Sequence, residues 1–164
     1  TEMESAYTSN TMAARRIFAA DGLGFRFEER LRYTGGSDTE LFLRVTAAGA
    51  KILWVEEARV REEYPDSRAQ LGWYLRRYMR RANGGVLIQR LHGKGVIGYA
   101  AGRIAKCLVV TGGCFVKAAV FVFYDRAQAS EKLGKGVLSL ASAWGYLLGV
   151  FGVHPNPYKV IEGH

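Results

Sequence analysis

Two apolar runs in the last third of the chain restrict its folding more than any other feature. Cys107 to Tyr124 is 18 residues with one charge, Lys117, and Gly136 to Val153 is 18 residues with none. A helix crossing the hydrocarbon core of a bilayer needs about 20 apolar residues, with a range that begins near 17. The polar stretch between the runs, Asp125 to Lys135, would join two antiparallel helices. The runs therefore predict a hydrophobic helical hairpin that spans a membrane or lies in its interface. Small residues recur four apart at Gly98 and Gly102, and again at Ala141, Gly145 and Gly149. That spacing lets helix backbones approach closely, in lipid or in water. Trp144 and Tyr146 are amphipathic and suit a head-group level or a core. Cys107 and Cys114, seven apart, fit one helical face better than a disulfide framework or a metal site.

Charge separates this hairpin from what precedes it. The net charge is +8, from 23 Lys plus Arg against 15 Asp plus Glu. Much of the excess lies between Arg76 and Lys106, in Arg76, Arg77, Arg80, Arg81, Arg90, Lys94, Arg103 and Lys106, with no acid among them. Such a stretch points to a polyanion: phospholipid head groups, a diphosphate or nucleic acid. No nucleic-acid motif accompanies the charge, so nucleic acid is set aside. Asp66 or Ser67 is placed to cap a helix, with Gln70 completing a capping box. Leu71, Leu75, Tyr78, Met79 and Ala82 form its apolar stripe, and Arg76, Arg77, Arg80 and Arg81 flank it. This is an amphipathic helix with a basic face, either solvated or laid against membrane or phosphate. Asn83-Gly84-Gly85 is expected to interrupt it. Tyr64-Pro65 marks a boundary before it. Three parts follow: 1–66, 67–94 as a basic amphipathic interface helix, and 95–164 as a membrane-associated hairpin with a tail extended by Pro155 and Pro157.

Within the first part, Tyr33-Thr34-Gly35-Gly36-Ser37-Asp38-Thr39-Glu40 is the organising stretch. Two glycines bend the chain. Ser37 is expected as an N-cap and Glu40 closes its box. Asp38 falls in the first turn, where free backbone N–H groups favour a negative charge. Leu41, Val45 and Ala48 define a buried face, and Gly49 is placed for a left-handed cap. Upstream, Met12 to Phe18 are good helix formers and predict a helix over Thr11 to Ala20. Downstream, Lys51-Ile52-Leu53-Trp54-Val55 reads as a buried strand. A carboxylate on the lip of a Gly-Gly loop suits a general base, and equally an ordinary capped helix. No Walker loop, G-x-G-x-x-G or Cys-x-x-Cys is present, and His92, His154 and His164 lack metal-ligand spacing.

The order of the blocks carries further information. Gly35-Gly36-Ser37-Asp38-Thr39-Glu40-Leu41-Phe42-Leu43-Arg44 precedes Ala48-Gly49-Ala50-Lys51-Ile52-Leu53-Trp54-Val55. Then come Glu57-Ala58-Arg59-Val60-Arg61-Glu62-Glu63-Tyr64-Pro65, Arg68, and Trp73 to Arg81. With Thr8 to Arg16 and Gly24 to Arg30 upstream, this run resembles the acceptor-side, C-terminal half of a family 2 glycosyltransferase of the GT-A fold. The nearer likeness is to enzymes of bacterial exopolysaccharide and succinoglycan assembly. The resemblance covers about residues 8 to 85. It implies an α/β fold: an incomplete GT-A (Rossmann-like) half, followed by the amphipathic helix and the hydrophobic helical hairpin.

The resemblance also implies roles. Asp38 holds the catalytic-base position of the family's Gly-Gly-Glu-Asp loop, and Ser37 stands where the family has Glu. Such a base takes the proton from an acceptor hydroxyl as that oxygen attacks the anomeric carbon of a nucleotide-diphospho sugar, with inversion. Gly35, Gly36 and Ser37 would shape the substrate side of the loop. Glu62 matches the family's acidic position after the second strand, where it binds substrate or pairs with a nearby Arg. Trp73, Arg76, Arg77 and Arg80 resemble the basic-aromatic helix near the donor diphosphate or the membrane, where Arg forks suit phosphate oxygens. The implied partners are a nucleotide sugar, a lipid-linked saccharide and membrane phospholipid, at the cytoplasmic face of a bacterial inner membrane. A divalent cation, Mg2+ or Mn2+, is expected for the full-length family, on an Asp-x-Asp in its nucleotide-binding half. Neither that motif nor that half is matched in these 164 residues. The expectation is therefore a portion of an enzyme, inactive alone. The alternative is a non-catalytic membrane-anchoring or partner-binding module.

Overall fold

Helices carry almost all the regular structure in a computed structural model of the chain, which describes residues 2, 3, 6 and 8–154. The chain divides into two units, Thr1–Glu63 and Tyr64–His164.

The longest element of the first unit is α1, Ser37–Ala47. The backbone enters it through Gly35 at φ 83° and Gly36 at φ 90°, a left-handed conformation that side chains disfavour. Gly36, not Ser37, is the N-cap, and the expected capping box does not form. Glu40 turns instead to Arg44, one helical turn on, whose Nε and Nη2 donate to its carboxylate at 2.7 and 2.8 Å. The other end of α1 follows expectation. Gly49 is left-handed at φ 87°; its N–H donates to Thr46 O at 2.9 Å, and that of Ala50 to Val45 O at 3.2 Å. These are the two bonds of a Schellman cap. Leu41, Phe42 and Val45 are buried, as is Leu31, which comes from a 3-10 turn at Glu29–Leu31. The helix expected over Thr11 to Ala20 is a single 3-10 turn, Arg15–Ile17, and Met12 is fully exposed. Good helix formers without an apolar face to bury do not hold so short a helix.

The α/β expectation, an incomplete GT-A (Rossmann-like) half, is overturned. Among the described residues the strands are β1, Glu2–Met3, and β2, Ile52–Leu53. They pair antiparallel, Glu2 opposite Leu53 and Met3 opposite Ile52. The Lys51–Val55 run contributes only those two residues, and Leu53 and Trp54 are 66% and 64% exposed. A Rossmann-like layer needs several parallel strands covered on both faces. A five-residue apolar run with one two-residue neighbour cannot build that layer.

Among the described residues the second unit contains three α-helices: α2, Leu71–Leu91; α3, Val96–Phe121; and α4, Arg126–Val150. Asp66–Arg68 is a 3-10 turn, and Gln70 is the N-cap of α2, without a side-chain bond. The helix then runs unbroken through Asn83-Gly84-Gly85, where an interruption was expected. Each Gly costs about 1 kcal/mol of intrinsic propensity relative to Ala, and packing against α4 outweighs it. Asn83 is 2% exposed; its Nδ2 donates to Gly145 O at 3.3 Å and Val153 O at 2.8 Å. A Cβ on Gly145 would lie 2.1 Å from Met79 O, and one on Gly149 2.8 Å from Val86 Cβ. The Ala141/Gly145/Gly149 spacing is therefore a helix contact. The Gly98/Gly102 spacing is not, because nothing lies within 4 Å of a Cβ at either position.

Asp125 caps α4, accepting from the N–H groups of Ala127 and Gln128 at 2.9 and 3.0 Å. Thr111 Oγ1 donates to Gly136 O at 3.3 Å and Ser139 Oγ to Cys107 O at 3.0 Å, which ties α3 to α4. The core gathers Ala82 and Val86 of α2, Ala100 of α3 and Tyr146 of α4. Both α3, at 26 residues, and α4, at 25, are long and apolar enough to cross a membrane by length and composition. Val109, Val116 and Val120 are among the large apolar side chains they leave exposed. In α2, burial begins only in the second half: Leu71, Tyr74 and Tyr78 are exposed, while Ala82 and Val86 are buried. The tail expected to be extended by Pro155 and Pro157 lies outside the described residues.

Candidate functional site

The Gly35–Asp38 segment is held from both sides. Before it, Glu28 caps the Glu29–Leu31 turn by accepting the Arg30 N–H at 3.2 Å and is paired with the Arg30 guanidinium at 2.8 and 3.0 Å. The Arg30 side chain is the main reason the Glu28 carboxyl is lowered to about 2. After it, buried Leu41 and Val45 fix α1. Glu40 is 3% exposed, and its partner Arg44 also donates to Arg26 O at 2.6 Å and lies 5.4 Å from the Phe25 ring centroid. One guanidinium therefore binds the Phe25–Arg26 segment to the first two turns of α1.

Asp38 is half-buried in the first turn, and its Oδ1 accepts the Thr39 N–H at 2.8 Å. Gly35, Gly36 and Ser37 form the bend that presents it. Thr34 Oγ1, beside this bend, is buried and finds no hydrogen-bond partner among the described residues. A buried hydroxyl left so costs on the order of 1–3 kcal/mol. Glu62 lies elsewhere in the unit, in an exposed irregular stretch between β2 and Pro65.

The other residues singled out in the sequence belong to the second unit, on the first half of α2. Trp73 is half-buried, with Arg77 stacked on its ring at 5.0 Å and Tyr64 and Tyr74 edge-on at 6.4 and 5.2 Å. Arg76 is exposed, and Arg80 Nε donates to Arg76 O at 3.4 Å. The helix thus joins Trp73 to Arg77 and sets Arg76 and Arg80 one turn apart. Among the described residues no three His, Cys, Asp or Glu side chains converge as a metal-holding set.

Three groupings escaped the sequence reading. The Glu40–Arg44 pair was legible in its i, i+4 spacing. In the second, Arg103 of α3 donates from Nε to Tyr146 Oη of α4 at 2.9 Å and lies over the rings of Tyr99 and Tyr146. The third is Asn83 with His154, whose Nδ1 is 2.7 Å from Asn83 Oδ1. Burial first, and Arg90 second, hold His154 below the ordinary imidazole range. Both Asn83 amide hydrogens are directed to carbonyls, so its oxygen accepts and His154 Nδ1 carries the proton.

The comparisons with known proteins decide what this chain can be set beside. It is 34% identical over 139 residues to the succinoglycan biosynthesis protein ExoM of Rhizobium meliloti (strain 1021). The chain is a relative of an exopolysaccharide-biosynthesis protein. The alignment takes in 84% of this chain and 43% of that protein, so the chain spans less than half of the relative's length. No protein-family profile matches the chain. No solved structure matches it either.

Proposed function

We propose that this chain is the acceptor-side, base-bearing portion of an inverting glycosyltransferase of exopolysaccharide assembly. The complete enzyme moves a sugar from a nucleotide-diphospho sugar to a lipid-linked saccharide at the cytoplasmic face of a bacterial inner membrane. The observation that carries this reading is the 34% identity to a succinoglycan biosynthesis protein. Asp38 is the base. Its support is a carboxylate in the first turn of a helix entered through the left-handed Gly35-Gly36 bend. Glu62 and Ser37 belong to the acceptor side.

Trp73, Arg76, Arg77 and Arg80 face phosphate, on the donor or on the membrane, with Arg77 pre-ordered on the Trp73 ring. Donor binding and a divalent cation belong to parts of the longer protein that this chain does not contain, and the chain alone does not transfer sugar. The two long apolar helices support the membrane placement. They also favour a second reading, a non-catalytic membrane-anchoring or partner-binding module.

The deciding experiment is Asp38→Asn in a full-length enzyme carrying this segment. General-base catalysis contributes roughly two to four orders of magnitude. Turnover should fall by that much while donor binding persists. Near-normal turnover removes Asp38 as the base. A full-length protein that binds no nucleotide sugar supports the module reading.

A further inference from the structure

Arg103 lies seven residues into a helix long and apolar enough to enter a membrane, about 10 Å along its axis from Val96. A cation in such a segment is costly unless it is paired or reaches the interface. No acid occurs in the sequence between Asp66 and Asp125, nor in α4 beyond Glu131, so no carboxylate is at hand. The side chain is nonetheless fixed. Its Nε donates to Tyr146 Oη at 2.9 Å, and its guanidinium carbon is 5.9 Å from the Tyr99 ring centroid and 5.5 Å from that of Tyr146. The two rings pack edge-to-face at 6.1 Å. Tyr146 is buried, and α2 contributes Gly85, where a Cβ would lie 3.1 Å from Tyr99 Oη. Two helices, α3 and α4, thus build an aromatic cradle around one guanidinium, and Gly85 of α2 lies behind it.

The cradle uses Nε. Among the described residues the terminal nitrogens make no hydrogen bond, which leaves a planar fork of donors held in place. Such a fork matches two oxygens of a phosphate. Lys106 follows at i+3 on the same side of α3 and adds a second positive charge. Val110, one further turn along, is exposed, so apolar surface continues from the two cations down the helix. We infer that Tyr99, Arg103, Lys106 and Tyr146 form a binding site for a phosphate group on an apolar chain, with the phosphate on the Arg103 fork and the chain along α3. Phospholipid head groups and lipid-linked phosphates share that chemistry. The inference rests on the membrane placement proposed above and not on sugar transfer.

The test uses the whole chain in neutral-detergent micelles, with the phosphorus NMR signal of each ligand as readout. The probes are phosphatidic acid, a polyprenyl diphosphate, inorganic phosphate and uncharged diacylglycerol, the last followed by its displacement of phosphatidic acid. Both phosphate lipids should bind, and the tighter one identifies the source. Arg103→Gln should weaken binding about tenfold or more, the scale of a charged hydrogen-bonded pair. Arg103→Lys, which keeps the charge without the fork, should fall between, with helix content by circular dichroism unchanged. Tyr146→Phe keeps the ring, loses the bond to Nε, and should weaken binding less than Arg103→Gln. Wild-type affinity in Arg103→Gln, displacement by diacylglycerol, or inorganic phosphate binding as tightly as the lipids would each overturn the site. Flotation with neutral phosphatidylcholine vesicles is a separate measurement. If the chain does not float, the membrane placement fails, while the micelle titration still decides the phosphate site.

Discussion

Among the described residues, the α-helix of Thr1–Glu63 is braced locally by an ion pair and a cap, whereas the helices of Tyr64–His164 meet at glycines and through side-chain bonds to distant carbonyls. α1 depends on a buried Glu40–Arg44 pair and a Schellman cap at Gly49. α2 and α4 meet where Gly145 lets α4 reach the Met79 backbone and Gly149 lets it reach Val86. The first arrangement is local: Glu40 and Arg44 are four residues apart. The second is distant, joining residues more than sixty positions apart. The local ionic brace holds the first turns of α1, Asp38 among them, without help from distant residues. The long apolar helices meet through close fit at glycines, with a few side-chain bonds to backbone carbonyls beside it.

The sharpest way to break this contrast is Arg44→Met. It leaves the Glu40 carboxylate buried without its bidentate partner, a change that costs about 3–5 kcal/mol in buried pairs. Amide hydrogen exchange over Ser37–Ala47 should lose its protection. Unchanged exchange there would show that apolar packing by Leu31, Leu41 and Val45 holds α1 without the pair. Next comes Gly145→Ala, which forces a methyl against a backbone carbonyl that cannot swing aside. Overpacking of this kind costs about 1–3 kcal/mol, read as an earlier denaturation midpoint in micelles.

Gly102→Ala is its control and should have the opposite sign. Its Cβ meets nothing within 4 Å, so replacing Gly in the helix should raise stability by up to about 1 kcal/mol. Equal losses at both positions would refute the contact assignment. The smallest effect is expected at Asp125, whose carboxyl is lowered, first by the Gln128 N–H it accepts. A lowered folded value stabilises the fold above the ordinary Asp range and loses that contribution as pH falls through it. The thermal midpoint should therefore drop below about pH 4, and the part due to Asp125 should vanish in Asp125→Asn, which still caps.

These sites also show what the sequence could and could not reveal. Gly49 was legible because a left-handed residue after an apolar-periodic helix is a local requirement. The two apolar helices were legible because length and missing charge are properties of the chain itself. Ser37 as N-cap was misread because Glu40 has a stronger partner in Arg44 than a serine backbone. Asn83-Gly84-Gly85 was read as a break because its local preference is against helix, and only contact with α4 reverses it. The strand at Lys51–Val55 failed for the converse reason: its apolar residues lack the neighbouring strands that would bury them. Asp38 was singled out by spacing and block order. The Arg103 cradle could not be found that way, since Tyr99 and Tyr146 come from different helices with no periodic link.

The amide of Asn83 bears on timing as well as place. Its partners, Gly145, Val153 and His154, lie 62, 70 and 71 residues further along the chain. A ribosome delivers α2 well before them, and the middle of α2 carries the weakest helix formers in that segment. The helix can start from its two ends, but its centre has to wait. Contacts so far apart in sequence are slow to close, so the expected order is that α2 becomes one continuous rod when the end of α4 arrives. Chains arrested between α3 and α4 should therefore leave the backbone around residue 83 open to protease, and release of the next thirty or so residues should close it.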